Sequence, residues 1–238
     1  KDPKNRKVKP GSIIRVIQKN KQWEVVQLPK VEASLVSMDP QTGAITALVG
    51  GFDFNRNKYN HVTQAKRQPG STFKPFIYSA ALEKGITPAT IVNDAPLHFS
   101  AAETGSGMDW DPQNYDNDFD GHIRLRNGLA KSKNLVAVRV LKAIGAPYAQ
   151  DYATRFGFDP ANHPAYLSMA LGVGSATLME MVTAYGVFAN GGYLKKPYLI
   201  EKMVDSQGQV IDQTNTMFQN EETPRVIDPR NAFIMTTL

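Results

Sequence analysis

The spacing of hydrophobic and polar residues near the start of the chain is that of β-strands. Residues Ile13–Ile17 and Trp23–Gln27 are rich in β-branched and aromatic side chains, and a polar turn separates them. Pro29 ends this pattern, and a second strand, turn and strand pattern follows in the string ASLVSMDPQTGAITALVGG. We therefore predict that residues 1–31 are the end of a small β module and that residues 32–238 form a separate domain.

After residue 70 the spacing changes to that of a helix. Four apolar residues recur at intervals of three and four: Phe73, Phe76, Ile77 and Ala80. This spacing predicts a helix over Ser71–Lys84 with those side chains facing the core, ended by Gly85. At about 100° per residue, Ser71, Lys74 and Tyr78 lie together on a polar strip beside the apolar face.

Further helices are predicted along the rest of the chain. Their approximate positions are Ile123–Lys131, Leu135–Ile144, Tyr148–Phe156 and a last helix that starts near Asp228. The clearest helix follows Thr177, which forms a capping box with Glu180, and the string Asn190-Gly191-Gly192 ends it. Strands followed by many helices and then by strand-like sequence predict a mixed α/β (α+β) domain, with helices packed on an antiparallel sheet.

Composition narrows the kinds of chemistry that are open to the chain. It has 238 residues, of which 42% are hydrophobic, so it can bury a core. It has no cysteine, which excludes disulfide bonds, thiolate metal sites and a cysteine nucleophile. The net charge of +5 comes from scattered basic residues. The basic start KDPKNRKVK is interpreted as a solvated end, so no nucleic-acid partner is predicted.

Ser71 and Lys74 are the first candidates for catalysis. A serine hydroxyl becomes a good nucleophile when a base takes its proton, and lysine can be that base if burial or neighbouring cations lower its pKa. Ser132 offers a second hydroxyl that can relay the proton to a leaving group. Asn134 offers an amide that can bind a substrate amide. A serine and a lysine three residues apart are common at helix starts, so the pair alone also fits a solvated helix end.

A competing pattern is a calcium-binding loop at residues 116–127, DNDFDGHIRLRN. Asp116, Asp118 and Asp120 occupy the first, third and fifth positions of such a loop, but Asn127 stands where calcium loops need a bidentate glutamate. We expect these carboxylates to cap turns and to face solvent. The four histidines show no metal-ligand spacing, and neither a metal nor an organic cofactor is predicted.

Three long strings resemble the transpeptidase domain of class A penicillin-binding proteins: RQPGSTFKPFIYSAALEKGI, IRLRNGLAKSKNLVAVRVLKAIG and LSMALGVGSATLMEMVTAYGVFANGG. The resemblance runs from about residue 32 to at least residue 200, and it implies a serine β-lactamase/D,D-transpeptidase-like fold. It implies that Ser71 is the acylated nucleophile and Lys74 its base. It also makes Ser132 the proton shuttle and Asn134 the side chain that binds the peptide amide, and it assigns no role to Lys133.

The resemblance also extends to the loop that contains Trp110. The string MDWDPQNYD resembles a family loop near the cleft, which implies that Trp110 contacts substrate. A structural tryptophan packed under a loop is the alternative interpretation.

The resemblance also implies substrates, inhibitors and a location. The activity would be cross-linking of peptidoglycan stem peptides by a D,D-transpeptidase, with β-lactam antibiotics as covalent inhibitors, on the periplasmic side of the bacterial inner membrane. The full protein would carry a glycosyltransferase domain and a membrane anchor upstream. Residues 1–31 would then be the end of an OB-like linker module.

One family motif is absent from the chain. The Lys-Thr-Gly strand, which binds the substrate carboxylate and helps form the oxyanion hole, is not present, and the nearest string is Gln41-Thr42-Gly43 in a hairpin turn. We expect the chain to stop before that strand and a missing C-terminal segment to complete the domain. Two alternatives stay open: a serine β-lactamase with the same fold and first motif, and a non-catalytic penicillin sensor or inactive fragment.

Overall fold

A computed structural model describes residues 10–104, 107–214 and 225–238 of the chain. The chain divides into two compact units, Lys1–Ala33 and Ser34–Leu238. Residues 1–9, which belong to the predicted β module and include the basic start, lie outside the described residues.

The described part of the first unit contains an antiparallel hairpin of strands β1 (Arg15–Lys19) and β2 (Gln22–Val26). Asn20 and Lys21 at its turn have φ angles of 50° and 63°. Positive φ at both central residues is the geometry that matches the twist of two-residue hairpins. The two predicted strands are confirmed, shifted by one or two residues.

The second unit opens with a hairpin of β3 (Leu35–Met38) and β4 (Ile45–Val49). The Asp39 carboxylate accepts a hydrogen bond from the Gln41 amide at 2.8 Å, which closes the turn. Gly43 has a φ of 84°, and a Cβ there would lie 2.5 Å from the Lys196 carbonyl oxygen. The string Gln41-Thr42-Gly43 is therefore a turn whose glycine is needed for backbone conformation and close packing.

Helices account for more of the described residues of the second unit than strands do. In the part of the chain that the structure describes they are α1 (Lys74–Glu83), α2 (Ala101–Thr104), α3 (Leu125–Ala130), α4 (Asn134–Ile144), α5 (Ala146–Thr154), α6 (Leu178–Ala189) and α7 (Pro229–Thr237). Two further antiparallel pairs are β5 (Ile91–Asp94) with β6 (Gly121–Arg124) and β7 (Lys202–Val204) with β8 (Val210–Gln213). None of the described helices is both long and apolar enough to cross a membrane.

Helix α1 lies at the centre of the core, and α4, α5 and α7 pack around it. Its predicted apolar face is confirmed, since all four of its side chains are at most 1% exposed. The Phe76 ring lies 5.0 Å from the rings of Phe156 and Phe158 and 5.5 Å from that of Phe188. Such aromatic packing adds stability beyond the burial of apolar surface.

The predicted start of the first helix is wrong. Residues Gly70–Phe73 form a 3-10 turn, and the α-helix begins at Lys74. The reason is Pro75, which has no N–H to donate to the Ser71 carbonyl, so the Lys74 N–H donates to it instead. The predicted end is confirmed, because Gly85 has a φ of 85° and its N–H donates to the Leu82 carbonyl at 3.0 Å.

The predicted helix over 123–131 is also wrong at its start. Ile123 and Arg124 belong to β6 and pair with Val92 and Ile91 of β5. Pairing with a strand distant in the sequence therefore overrides the local helical spacing. Neither β5 nor α2 is predicted by the spacing of hydrophobic residues.

The capping box before α6 has the predicted geometry. The Glu180 N–H donates to Thr177 Oγ1 at 3.1 Å, and the Thr177 N–H donates to the Glu180 carboxylate at 2.6 Å. Two amides that lack partners inside the helix are thereby satisfied.

Replacing Thr177 by alanine should lower the free energy of unfolding by about 1 kcal/mol, because the cap loses its side-chain acceptor. Urea unfolding followed by circular dichroism measures this change. Thr177→Ser keeps the hydroxyl and should be close to the parent protein. Equal losses in the two variants would show that the methyl group, rather than the cap, is responsible.

Candidate active site

Ser71 lies at the surface, on the 3-10 turn that leads into α1. In the part of the chain that the structure describes, its hydroxyl makes no hydrogen bond. The turn stands at the N-terminal end of α1, where the helix carries a partial positive charge. An exposed hydroxyl beside that charge can react with a carbonyl group whose oxygen becomes negative.

Backbone contacts with Gly172 hold this turn in place. The Gly70 N–H donates to the Gly172 carbonyl at 3.2 Å. A Cβ added to Gly172 would lie 2.1 Å from the Gly70 carbonyl oxygen, and Gly172 has a φ of 69°. Just before the turn, Arg67 and Ala176 exchange two backbone hydrogen bonds of 2.9 and 3.0 Å. The segment before Ser71 is therefore fixed by direct contact of two backbones.

Two further side chains support the turn. The Tyr185 hydroxyl donates to the Thr72 carbonyl at 2.7 Å. The buried His163 ring stacks on Phe73, with ring centroids 4.8 Å apart and planes 12° apart. Burial lowers the pKa of His163, which favours the neutral imidazole. Neither residue belongs to a spacing that sequence reasoning could have recognised.

Lys74 is fully buried, and its ammonium group is surrounded by oxygen atoms. Nζ donates to the Ser132 carbonyl at 2.6 Å, to Ser132 Oγ at 3.0 Å and to Asn134 Oδ1 at 2.8 Å. All three partners are neutral, so none of them offsets the cost of burying the charge as a carboxylate would. Burial lowers the pKa of Lys74 from 10.5 to about 8. The lysine is therefore suited to accept a proton near neutral pH.

Ser132 lies in the connection between α3 and α4, in a backbone conformation that is unusual for serine. Its φ is 54°, in the left-handed region, and its N–H donates to the Leu129 carbonyl at 2.8 Å. Such a conformation costs roughly 1–2 kcal/mol in a residue with a Cβ. The conformation turns both the carbonyl and the hydroxyl of Ser132 towards Lys74.

Asn134 is the first residue of α4, and its side chain is already engaged at both ends. Oδ1 accepts from Lys74, and Nδ2 donates to the Gln113 carbonyl at 2.8 Å. The Asn134 main-chain N–H donates to Asn114 Oδ1 at 2.9 Å. A side-chain amide carries two N–H groups, so one remains for another partner.

Three of the predicted site residues line one cavity of about 330 Å³. Its lining is formed by Ser71, Asn114, Tyr115, Asp116, Lys131, Ser132, Lys133 and Asn134. Lys74 is joined to two of these residues by hydrogen bonds, so Ser71, Lys74, Ser132 and Asn134 come together in one place.

Trp110 does not line that cavity. Its ring packs on Phe99 at 5.8 Å between centroids, and its backbone pairs with the same residue. It borders a separate cavity of about 140 Å³ together with Tyr166 and Leu167. The contacts of Trp110 described by the structure are those of a packed side chain, and a contact with substrate stays a prediction.

Two aspartates of the calcium-like pattern, Asp116 and Asp120, lie close to a lysine. Lys133 Nζ lies 3.0 Å from Asp116 Oδ2 and 3.8 Å from Asp120 Oδ1. Asp116 also caps a turn, as predicted, by accepting from the Asp118 N–H at 3.1 Å. Within residues 10–104, 107–214 and 225–238, no group of three or more acidic or histidine side chains could hold a metal ion. Asp116 thus pairs with Lys133, and Asp120 pairs most closely with Lys131 at 2.8 Å, and sequence reasoning missed this role of Lys133.

Comparisons with known proteins agree with this site and fold. Residues 33–237 match the penicillin binding protein transpeptidase domain family. Penicillin-binding protein 1A of Neisseria lactamica is 48% identical over 229 residues, which are 96% of this chain and 29% of that protein. The chain thus spans less than a third of the length of that relative.

Two solved structures illustrate the similarity of the fold. Penicillin-binding protein 1A from Haemophilus influenzae matches with a TM-score of 0.85 and 36% identity over 93% of this chain and 37% of that one. PonA1 from Mycobacterium tuberculosis, solved in complex with penicillin V, matches with a TM-score of 0.70 and 25% identity. That match covers 84% of this chain and 52% of PonA1.

The chain belongs to the penicillin-binding protein transpeptidase domain family. The predicted family and the predicted fold class are confirmed. The roles of the individual site residues remain predictions.

Replacing Gly172 by alanine should destabilise the protein more than replacing Gly191. Both glycines have positive φ, so alanine costs about 1–2 kcal/mol at each. Only Gly172 lies against another backbone, and this clash should add about 1–3 kcal/mol. Urea unfolding of the two variants measures the difference. Equal losses would mean that the contact between Gly172 and Gly70 does not constrain the turn.

Proposed function

We propose that this chain is the catalytic part of a peptidoglycan D,D-transpeptidase that works through an acyl-enzyme on Ser71. The observation that carries the proposal is the environment of Lys74. This lysine is fully buried, its Nζ donates to neutral oxygens of Ser132 and Asn134, and it follows an exposed serine by three residues. The relative PonA1, which binds penicillin V, supports β-lactams as inhibitors of the same site.

The first half of the reaction is acylation. Ser71 Oγ attacks the carbonyl carbon between the two terminal D-alanines of a stem peptide, and neutral Lys74 takes the hydroxyl proton. Negative charge develops on the carbonyl oxygen, next to the N-terminal end of α1. The hydrogen bond between Ser71 and its base forms when substrate binds, as is common for catalytic pairs.

Ser132 provides the route by which the proton leaves. Its hydroxyl lies 3.0 Å from Lys74 Nζ and can both accept and donate. The proton passes through it to the nitrogen of the terminal D-alanine, the C–N bond breaks, and D-alanine departs. The result is an ester between the stem peptide and Ser71.

The second half transfers the acyl group. An amine of a second stem peptide attacks the ester carbonyl, its proton passes to Lys74, and the bond from the carbonyl carbon to Ser71 Oγ breaks as the oxygen regains a proton. A new amide bond joins the two peptides. The N–H of Asn134 that is left over after its bond to Gln113 is proposed to bind the substrate amide. Trp110 is also proposed to contact the substrate.

The rest of the site is proposed to come from outside this chain. A C-terminal segment with Lys-Thr-Gly would bind the substrate carboxylate and complete the oxyanion hole. The full protein is proposed to carry a glycosyltransferase domain and a membrane anchor upstream, on the periplasmic side of the inner membrane. Residues 1–31 would belong to the linker module between those domains.

Labelling with a fluorescent penicillin tests the proposal. We expect no labelling of the 238-residue chain by itself, and one label per molecule when it is extended by a relative's Lys-Thr-Gly segment, here called the extended protein. Ser71→Ala should abolish the label, whereas Ser100→Ala, at a serine outside the cavity, should keep it. Failure of the extended protein to label, or labelling of Ser71→Ala, would reject the assignment.

The same preparation separates the transpeptidase from a serine β-lactamase. A chromogenic cephalosporin should give one stoichiometric adduct with the extended protein. Continuous turnover would identify a β-lactamase instead. A protein that labels but does not join stem peptides in vitro would be a penicillin sensor.

The pH dependence of acylation should reveal the lowered pKa of Lys74. The base must be neutral, so the rate should rise about tenfold per pH unit below pH 8 and level off above it. At pH 7 about a tenth of the lysine would be neutral, far more than at its ordinary pKa. Stopped-flow labelling of the extended protein from pH 6 to 10, corrected for hydrolysis of the penicillin in buffer, measures the profile. A rate that keeps rising beyond pH 9 would contradict this role of Lys74.

A further inference from the structure

Lys133 is the buried cation between the two motif residues Ser132 and Asn134. It is 4% exposed, and its ammonium group lies 3.5 Å from Asp94 Oδ2 and 3.0 Å from Asp116 Oδ2. It also donates to the Asp118 carbonyl at 3.2 Å. One side chain therefore links the start of α4 to the end of β5 and to the loop over residues 113–120.

A second side chain closes the same network. Asn114 Nδ2 donates to Asp94 Oδ1 at 2.8 Å, and Asn114 Oδ1 accepts from the main-chain N–H groups of Asn134 and Leu135 at 2.9 and 3.3 Å. Asn114 thus caps α4 from outside the helix. Because Asn114 and Lys133 share Asp94 as a partner, the loop and the helix start are held to one fixed carboxylate.

The charges in this network depend on one another. Asp94 is fully buried, and a buried carboxylate without a cation is strongly destabilising. Burial by itself would lower the pKa of Lys133, but the hydrogen bond and charge of Asp116, with Asp120 and Asp94, outweigh it and raise that pKa. Lys133 therefore stays charged throughout the neutral range. Lys133 and Asp94 therefore form a buried pair of opposite charge, with the more exposed Asp116 and Asp120 beside it, and this differs from a chance surface pair.

The backbone next to Lys133 is the strained part of the site. Ser132 keeps its left-handed φ of 54° only if the surroundings hold it there. On its C-terminal side, the Lys133 N–H donates to the Gly128 carbonyl at 2.9 Å, and the Lys133 ammonium group is held by Asp94 and Asp116. Both Ser132 oxygens that contact Lys74 depend on that conformation.

We propose that Lys133 is a positioning residue for acyl transfer, whose ammonium group anchors the loop over residues 113–120 to the start of α4 and so holds Ser132 and Asn134 against Lys74. This inference rests on the proposed function. Lys133 touches no reacting atom in this scheme, and it acts through Ser132 and Asn134.

The test compares acylation and stability in variants of the extended protein. Lys133→Met keeps the length of the side chain and removes the charge. We expect the acylation rate at saturating fluorescent penicillin to fall about 10- to 100-fold, since small displacements of catalytic groups have effects of this size. The penicillin concentration at half-saturation should change less than threefold, and Lys133→Arg should recover at least tenfold of the lost rate. Lys142→Met, at an exposed lysine of α4 that pairs with Glu103, is the matched control and should acylate normally.

A double variant separates positioning from simple charge balance. Lys133→Met with Asp94→Asn removes both buried charges and should recover most of the lost resistance to urea. If Lys133 positions Ser132 and Asn134, the double variant should still acylate slowly, because the ammonium bridge to Asp116 and Asp118 is gone. Recovery of the acylation rate together with stability would overturn the inference.

The outcomes also distinguish this inference from the proposed function. If the parent protein does not label, the proposed function is wrong. If the parent labels and folded Lys133→Met labels at the same rate, Lys133 has no positioning role. Should Lys133→Met fail to fold, the double variant and Lys133→Arg decide: the same acylation rate in both would exclude the inference, and a rate at least tenfold lower in the double variant would support it.

Discussion

The burial of one lysine is the constraint on which the rest of this site depends. Lys74 extends from the first turn of the central helix into a cage of three oxygen atoms that belong to Ser132 and Asn134. The cage joins two parts of the chain that are about sixty residues apart in sequence. Because a buried ammonium group needs all three hydrogen bonds, the connection between α3 and α4 has to take one particular path. The left-handed backbone of Ser132 is part of that path.

Around this cage the domain uses two different kinds of support. Next to Ser71, the backbones of Gly70 and Gly172 are in contact, and the Phe73 and His163 rings stack beneath the turn. At the cavity wall the support is electrostatic, because the ion pair of Lys133 and Asp94 holds the loop that forms this wall. Close packing and paired buried charges both resist small displacements, as the proposed acyl transfer would require. Ser71 itself stays exposed, so rigidity lies in its neighbours.

Sequence reasoning predicts the parts of this structure that depend on local spacing. The apolar face of α1, the capping box at Thr177 and the glycine end at Gly85 are local features, and the structure has each of them. The family is predicted from long matching strings. Ile123 is placed wrongly because its partner, Val92, lies 31 positions earlier in the chain, where no local rule reaches.

The site is predicted in its residue types and not in its contacts. Ser71, Lys74, Ser132 and Asn134 are recognisable from motifs, but the pairing of Lys133 with Asp94 joins residues from two separate elements. The same holds for Gly172, which is needed because it lies against the backbone of Gly70, a residue distant in the sequence. Aspartates at alternate positions suggest a metal site by spacing alone. Only the folded chain reveals that Asp116 pairs with Lys133 and Asp120 with Lys131.

The contact of Gly172 with Gly70 has a mechanical consequence. Gly172 ends the short 3-10 segment Leu167–Leu171, whose first residues border the small cavity beside Trp110. That segment therefore runs from the tryptophan cavity to the backbone behind Ser71. Because glycine has no side chain, no side-chain rotation can change the distance between Gly172 and Gly70. The backbone beside Ser71 is thus in direct contact with the end of a segment that begins about five residues earlier, on the wall of a different cavity.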